Sequence, residues 1–159
     1  MSEALYTEIT VESGLRPDID TYYLNLARAV STRGTCIRRQ VGCVLVDSRR
    51  RILAAGYNGS ASGAPHCSEI PCPGAMLPSG TGLDLCEALH AEQSALLYCH
   101  DVYAIATCYV TVSPCVTCIK LLLNTSCFRI IFLEFYSQPE AELLWKRASR
   151  EWRHLALNS

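Results

Sequence analysis

Apolar and polar residues along this chain follow two rhythms, and the switches between them lay out the elements. From Tyr22 to Thr32 the apolar positions Leu24, Leu26, Ala27 and Val30 recur at helical spacing, which gathers them on one face of an amphipathic helix. Asp18 or Asp20 is placed to cap its start and Gly34 to stop it. Val41 to Asp47 is a short β-rich run, Ser48-Arg49-Arg50 reads as a turn, and Ile52 to Tyr57 reads as a second strand. A helical pattern resumes from about Leu85 to Tyr98, with the helix itself beginning near His90. Cys108 to Val112 and Phe128 to Phe132 are further strands. Between them Pro114 suits a helix start, where its missing N–H costs nothing. Cys115 and Cys118 then lie one turn apart on one helix face. Glu140 to Arg150 predicts a final helix and Trp152 to Leu157 a fifth strand.

This order implies a three-layer α/β/α architecture, with helices on both faces of a central mixed sheet of about five strands. A chain of 159 residues suits a single domain over 1–159 with one sizeable core, residues 1–17 forming a tail. One interval breaks both rhythms. Asn58 to Gly82 carries glycine, proline, histidine and cysteine without periodicity, and so long a structureless loop in a compact domain needs an internal staple. A metal would provide one.

Composition narrows the classes. Half of the chain is hydrophobic, which argues against disorder, and no long apolar run suggests a membrane span. Met1 to Val11 is acidic and polar and lacks the basic and apolar regions of a secretory signal, so a cytoplasmic enzyme is expected. The formal net charge of −1 disfavours nucleic acid as a partner. Without a secretory context the ten cysteines do not read as a disulfide scaffold. Cys43, Cys99, Cys108 and Cys127 lie in or beside apolar segments and read as ordinary buried thiols. The other six cluster near histidines, glycines and prolines and read as metal ligands.

The candidate chemistry lies in His90-Ala91-Glu92 and Pro114-Cys115-Val116-Thr117-Cys118. His90, Cys115 and Cys118 can hold zinc by three corners of a tetrahedron, leaving the fourth for water, as a catalytic zinc requires. Glu92 is close enough to His90 in sequence to move protons on that water. Alone, His90 would be a core histidine and the two cysteines a structural zinc site or core packing. Together, each half at a helix N-terminus beyond a strand end, they match the place where open α/β sheets put ligands, and the helix dipoles there favour thiolates. The joint pattern is identified as the zinc deaminase signature. Zinc would lower the pKa of bound water to roughly 7. The attack would fall on C4 of cytosine, with Glu92 taking the water proton and delivering protons to ring N3 and the leaving amine. Cys36, Cys67, Cys72 and Cys86 make a second candidate zinc site, structural rather than catalytic, with His66 competing with Cys67 for one corner.

From about Tyr22 to Trp145 the chain resembles the deoxycytidylate (dCMP) deaminase family of the zinc-dependent cytidine deaminase superfamily. The resemblance is carried by Cys36-Ile37-Arg38-Arg39-Gln40-Val41-Gly42, Gly56-Tyr57-Asn58-Gly59, His66-Cys67 with Cys72, His90-Ala91-Glu92, Tyr109-Val110-Thr111, Ser113 to Cys118, and Tyr136. It implies a cytidine deaminase-like fold and hydrolysis of dCMP to dUMP and ammonia, supplying dUMP for dTMP synthesis. It further implies that Asn58 meets the deoxyribose, the backbone at Ala91 the cytosine O2 edge, and the Ser113 carbonyl the exocyclic amine. Tyr136 would meet the sugar or phosphate, and Arg38 and Arg39 the phosphate or a regulatory nucleotide. Some relatives carry a structural zinc near the second cysteine set. A homo-oligomer, often a hexamer, with dCTP activation and dTTP inhibition is also implied.

In one place the chain departs from the family, which usually reads His-Ala-Glu-x-Asn-Ala. Ser94 stands in the asparagine position, with shorter reach and fewer donors. Other substrates stay open, dCTP or a 5-substituted dCMP first. A tRNA adenosine deaminase shares the zinc pattern, but net acidity and Gly56 to Gly59 argue against it. Tetrameric cytidine deaminases place cysteine where His90 stands. A zinc-stabilised nucleotide-binding protein without catalysis is the rival from another class, and it has no need of Glu92.

Overall fold

Asp18, rather than Asp20, starts the first helix of the computed structural model, which describes residues 15–83 and 85–156. The Asp18 carboxylate accepts from the backbone N–H groups of Asp20 and Thr21 at 3.1 and 3.0 Å, closing donors that a helix start leaves open. Helix α1 therefore runs Ile19–Ser31, beginning earlier than the apolar spacing alone predicts. Asp20 is buried and accepts instead from the Tyr109 hydroxyl at 2.7 Å and from Arg153 at 2.9 Å.

Strands β1 (Gly42–Asp47) and β2 (Ile52–Tyr57) form the expected antiparallel hairpin. Asp47 closes its turn by accepting from the N–H groups of Arg49 and Arg51, and Arg50 takes a left-handed conformation there. The Gly/Pro interval is not wholly structureless. Strand β3 (Gly59–Ser60) pairs antiparallel with β4 (Ala88–Leu89), so a short ladder ties the root of the loop. That pairing also corrects the helical reading from Leu85, since helix α2 covers only Ala91–Tyr98. A 3-10 turn at Val102–Ala104 leads into β5 (Ile105–Val112). Helix α3 spans Val116–Leu123 with Cys115 as its cap, so Pro114 precedes the cap instead of occupying the first helical position. Strand β6 (Arg129–Glu134), helix α4 (Pro139–Arg147) and strand β7 (Glu151–His154) complete the elements among the described residues. Strand β6 and helix α4 overlap the predicted Phe128 to Phe132 and Glu140 to Arg150 with shifted ends, and Arg150 lies beyond α4. The expected tail falls largely, and Leu157 wholly, outside the described residues.

The sheet order is β2-β1-β5-β6-β7, with β1 antiparallel to β2 and β5, and β5, β6 and β7 mutually parallel. Alternate strand residues face opposite layers. On one face Tyr23, Leu24 and Ala27 of α1 pack on Val44, Val46, Tyr109 and Ile131. On the other, Ala91 and Ala95 of α2, Ile119 and Leu122 of α3, and Ala141 and Trp145 of α4 cover Leu45, Cys108, Val110, Ile130 and Phe132. This is the mixed three-layer sheet that the pattern predicts.

Two glycines allow the helices to lie so close. A Cβ at Gly42 would stand 2.0 Å from the Ala27 carbonyl oxygen of α1, and one at Gly56 would stand 2.4 Å from the Ala95 nitrogen of α2. Cys43, Cys108 and Cys127 are buried thiols as expected, whereas Cys99 at the end of α2 is half-buried. Among the described residues no helix is long and apolar enough to cross a membrane.

Candidate active site

The site forms where β5 and β6 end and α2 and α3 begin. Two glutamines close the exposed helix starts. The His90 N–H donates to Gln93 Oε1 at 2.8 Å, and the Val116 N–H donates to Gln138 Oε1 at 2.9 Å. Ser113 links the strand ends. Its N–H donates to the Glu134 carbonyl at 2.9 Å, and its hydroxyl accepts from the Tyr136 N–H at 2.7 Å.

This frame brings His90, Cys115 and Cys118 together. Each sulfur lies 3.4 Å from His90 Nδ1, and the three ligand atoms fall within 4.8 Å of one another. A tetrahedral zinc with ordinary Zn–N and Zn–S bonds needs ligand separations of about 3.5–3.8 Å, so one imidazole and two thiols fit that ion. Protonation points the same way. Hydrogen bonding from the Cys118 thiol, then from His90, outweighs burial and brings Cys115 down to about 4. Cys118 is driven in the opposite direction by its bond to Cys115 and by burial. His90 is raised, chiefly through its bond to Cys115. Burial pushes the Glu92 carboxyl up to about 7, against the favourable charge of His90. The chain thus collects groups whose anionic forms want a cation between them.

One cleft is lined by His90, Ala91, Glu92, Ser113 and Cys115 together with Arg38, Arg39, Asn58 and Tyr136. Cys118 is fully buried behind this wall. Asn58 accepts from the Val41 N–H at 2.8 Å through Oδ1 and donates to the Arg39 carbonyl at 2.6 Å, so its amide also fixes the arginine-bearing segment. Arg38 Nη1 donates to the carbonyls of Thr81 at 2.7 Å and Pro78 at 3.1 Å, tying down a loop whose Ser79, Gly80 and Leu83 roof the cleft. Arg39 Nη2 pairs with Glu134 Oε2 at 2.6 Å. Burial raises the Tyr136 hydroxyl, and the charges of Arg38 and Arg39 oppose that rise.

The second cysteine set is more dispersed. Cys36 and Cys86 line the cleft, while Cys67 and Cys72 sit with their sulfurs 3.8 Å apart. The Glu87 N–H leads the groups that lower the Cys72 thiol, with the Cys67 and Cys86 thiols contributing. Among the described residues only His90, Cys115 and Cys118 form a group of three within 4.8 Å, and neither these cysteines nor His66 do so. Ser94 is half-buried on α2, and its N–H donates to the His90 carbonyl at 3.0 Å.

Sequence reading missed Gln93, Gln138 and Glu134. Gln93 was findable, because a glutamine three residues after a cap position is a capping signature. Gln138 and Glu134 act across the fold, and nothing local marks them.

The model of the cytidine and deoxycytidylate deaminase zinc-binding region matches residues 17–134. The deoxycytidylate deaminase of Mycobacterium phage D29 is 41% identical over 124 residues, covering 74% of this chain and 95% of that protein. The deoxycytidylate deaminase of Schizosaccharomyces pombe is 42% identical over 107 residues, covering 65% of this chain but only 33% of that longer protein. In fold, the chain is similar to the dCMP deaminase of cyanophage S-TIM5 solved in complex with dCMP and dUMP. The TM-score is 0.72 at 24% identity, over 89% of this chain and 99% of that one. A zinc-binding region that fills most of the sequence, and kinship above 40% along nearly the full length of one relative, leave one conclusion: the chain belongs to the deoxycytidylate deaminase family of zinc-dependent deaminases.

Proposed function

We propose that this protein hydrolyses dCMP to dUMP and ammonia. The observation that carries the reading is the placement of buried Glu92 in the same cleft as His90 and Cys115, a cleft that two arginines and Tyr136 also line. Kinship to the phage and yeast deoxycytidylate deaminases supplies the substrate class. His90, Cys115 and Cys118 hold zinc. Zinc so held supplies Lewis acidity that makes water nucleophilic at neutral pH. Glu92 accepts the proton of the attacking water and delivers protons to ring N3 and to the leaving amine. Burial raises the Glu92 carboxyl in the metal-free protein, and a carboxyl whose proton is so readily held can both take and return one. The Ala91 backbone meets the O2 edge of the base, and the Ser113 carbonyl accepts from the amine being lost. Asn58 holds the sugar, Tyr136 packs on the sugar or reaches the phosphate, and Arg38 and Arg39 neutralise the phosphate.

A second, structural zinc at Cys67, Cys72 and Cys86 with Cys36 belongs to the same proposal. What supports it is the approach of Cys67 to Cys72 and the lowered thiol of Cys72. Homo-oligomeric assembly and control by dCTP and dTTP follow the family resemblance.

The test is turnover of dCMP, dCTP, deoxycytidine and 5-substituted dCMP by the zinc-loaded protein, read as ammonia release. dCMP is expected to exceed deoxycytidine by a wide margin. Equal turnover of the two would remove the phosphate from the argument.

A further inference from the structure

Glu134 ends β6 and pairs with Arg39 at 2.6 Å. Arg39 lines the cleft beside Arg38 and Tyr136, and the charges of both arginines reach the Tyr136 hydroxyl. The two arginines therefore add positive charge to the cleft that also holds His90, Glu92 and Cys115. The Glu134 side chain is 57% exposed and that of Arg39 is 31% exposed, so the carboxylate is the outer member of the pair and stands on the solvent side. So exposed a pair contributes little to stability. Arg38 is partly committed to the loop carbonyls of Pro78 and Thr81. The cleft thus offers two guanidiniums with a fixed carboxylate outside one of them.

That arrangement distinguishes short polyanions from long ones. A single phosphate meeting Arg39 on its cleft side gains a cation. Further phosphates would extend toward solvent, the side on which the more exposed Glu134 carboxylate of the pair stands. Like charges brought to ion-pair spacing near a surface repel appreciably, and an unfavourable contact with the wrong ligand is a common source of selectivity. We infer that Glu134 sets phosphate-length specificity, admitting the nucleoside monophosphate and repelling the diphosphate and triphosphate. The inference rests on the dCMP reading above and deepens it.

The experiment compares kcat/KM for dCMP, dCDP and dCTP in the zinc-loaded wild type and in Glu134→Gln, with zinc content measured on both. The substitution keeps the side chain's shape and removes its charge. The dCTP to dCMP ratio should rise about tenfold in the variant, an electrostatic preference that added salt should shrink. A ratio within twofold of wild type overturns the inference. So does a parallel rise in KM for dCMP and dCTP, which would mean that Glu134 only orients Arg39. If the wild type itself fails to turn over dCMP, the underlying reading falls instead, and that result is distinct from an unchanged ratio.

Discussion

Glu92 sits buried at the first turn of α2, and its two protonation states are brought close in free energy by that burial. Glu92→Gln keeps the volume and removes the proton relay. The variant should lose roughly 100-fold or more in turnover while zinc content stays at the wild-type level. Activity above a few per cent would remove Glu92 from the relay, and loss of zinc would make it a ligand. The raised pKa has a second consequence in protein stripped of zinc. The folded carboxyl titrates near 7 and the unfolded one near 4.5, so between those values the folded state binds more protons. Its contribution is fully present below pH 4.5 and is lost as pH rises through 7, by on the order of 3 kcal/mol. Denaturant titrations of zinc-free wild type should therefore show stability falling across that window relative to Glu92→Gln, whose amide does not titrate. Parallel pH profiles would deny the shift. At this scale the sequence was most legible: His90, Glu92, Cys115 and Cys118 belong to two short motifs whose spacing is visible on the page. Glu134 and Gln138 stayed hidden because their partners, Arg39 and Val116, are distant in the chain.

At the scale of elements, the site depends on how closely α2 approaches β2. Gly56 allows that approach, since its missing Cβ would meet the backbone of Ala91, Ser94 and Ala95. Gly56→Ala should displace the helix that carries Glu92 and begins at His90, and overpacking of this kind costs about 1–3 kcal/mol. We expect a lower Tm together with weakened zinc retention, measured by thermal melts and metal analysis. A variant that melts like wild type and keeps its zinc would show that α2 accommodates the methyl group elsewhere. Helices and strands were readable because their apolar periods were long enough to see. The β3–β4 ladder was not, being two residues on each side and held by backbone pairing rather than by side-chain pattern. The end of α3 is another case. Arg150 donates to the carbonyls of Cys127 at 2.8 Å and Leu123 at 2.9 Å, so it serves α3 and not the helix in which its local sequence placed it.

Across the whole molecule the Gly/Pro interval joins β3 to β4 and roofs the cleft through Ser79, Gly80 and Leu83. If Cys36, Cys67, Cys72 and Cys86 hold a second zinc, Cys72→Ser should reduce the metal count per chain and lower the Tm while His90, Cys115 and Cys118 remain loaded. Loss of activity should then be secondary, through disorder of the roof near Asn58. A count of one zinc per chain in wild type purified without chelator would leave these cysteines as plain thiols. Fold class was legible because alternation of helical and strand periods dictates layers. The extra loop order was not, because single cysteines in an aperiodic stretch specify no geometry.

His90 and Cys118 are only 28 positions apart, with β5 between them. In the proposed reading the groups that meet sugar and phosphate lie on either side of that stretch, Arg38, Arg39 and Asn58 before it and Tyr136 after it, whereas those that meet the base, Ala91 and Ser113, lie within it. On that reading, reaction and base recognition share one passage of the chain, and recognition of the sugar and phosphate is left to its flanks. An exchange of those flanks alone should therefore change which sugar or phosphate is accepted while leaving the choice of base to the stretch between His90 and Cys118.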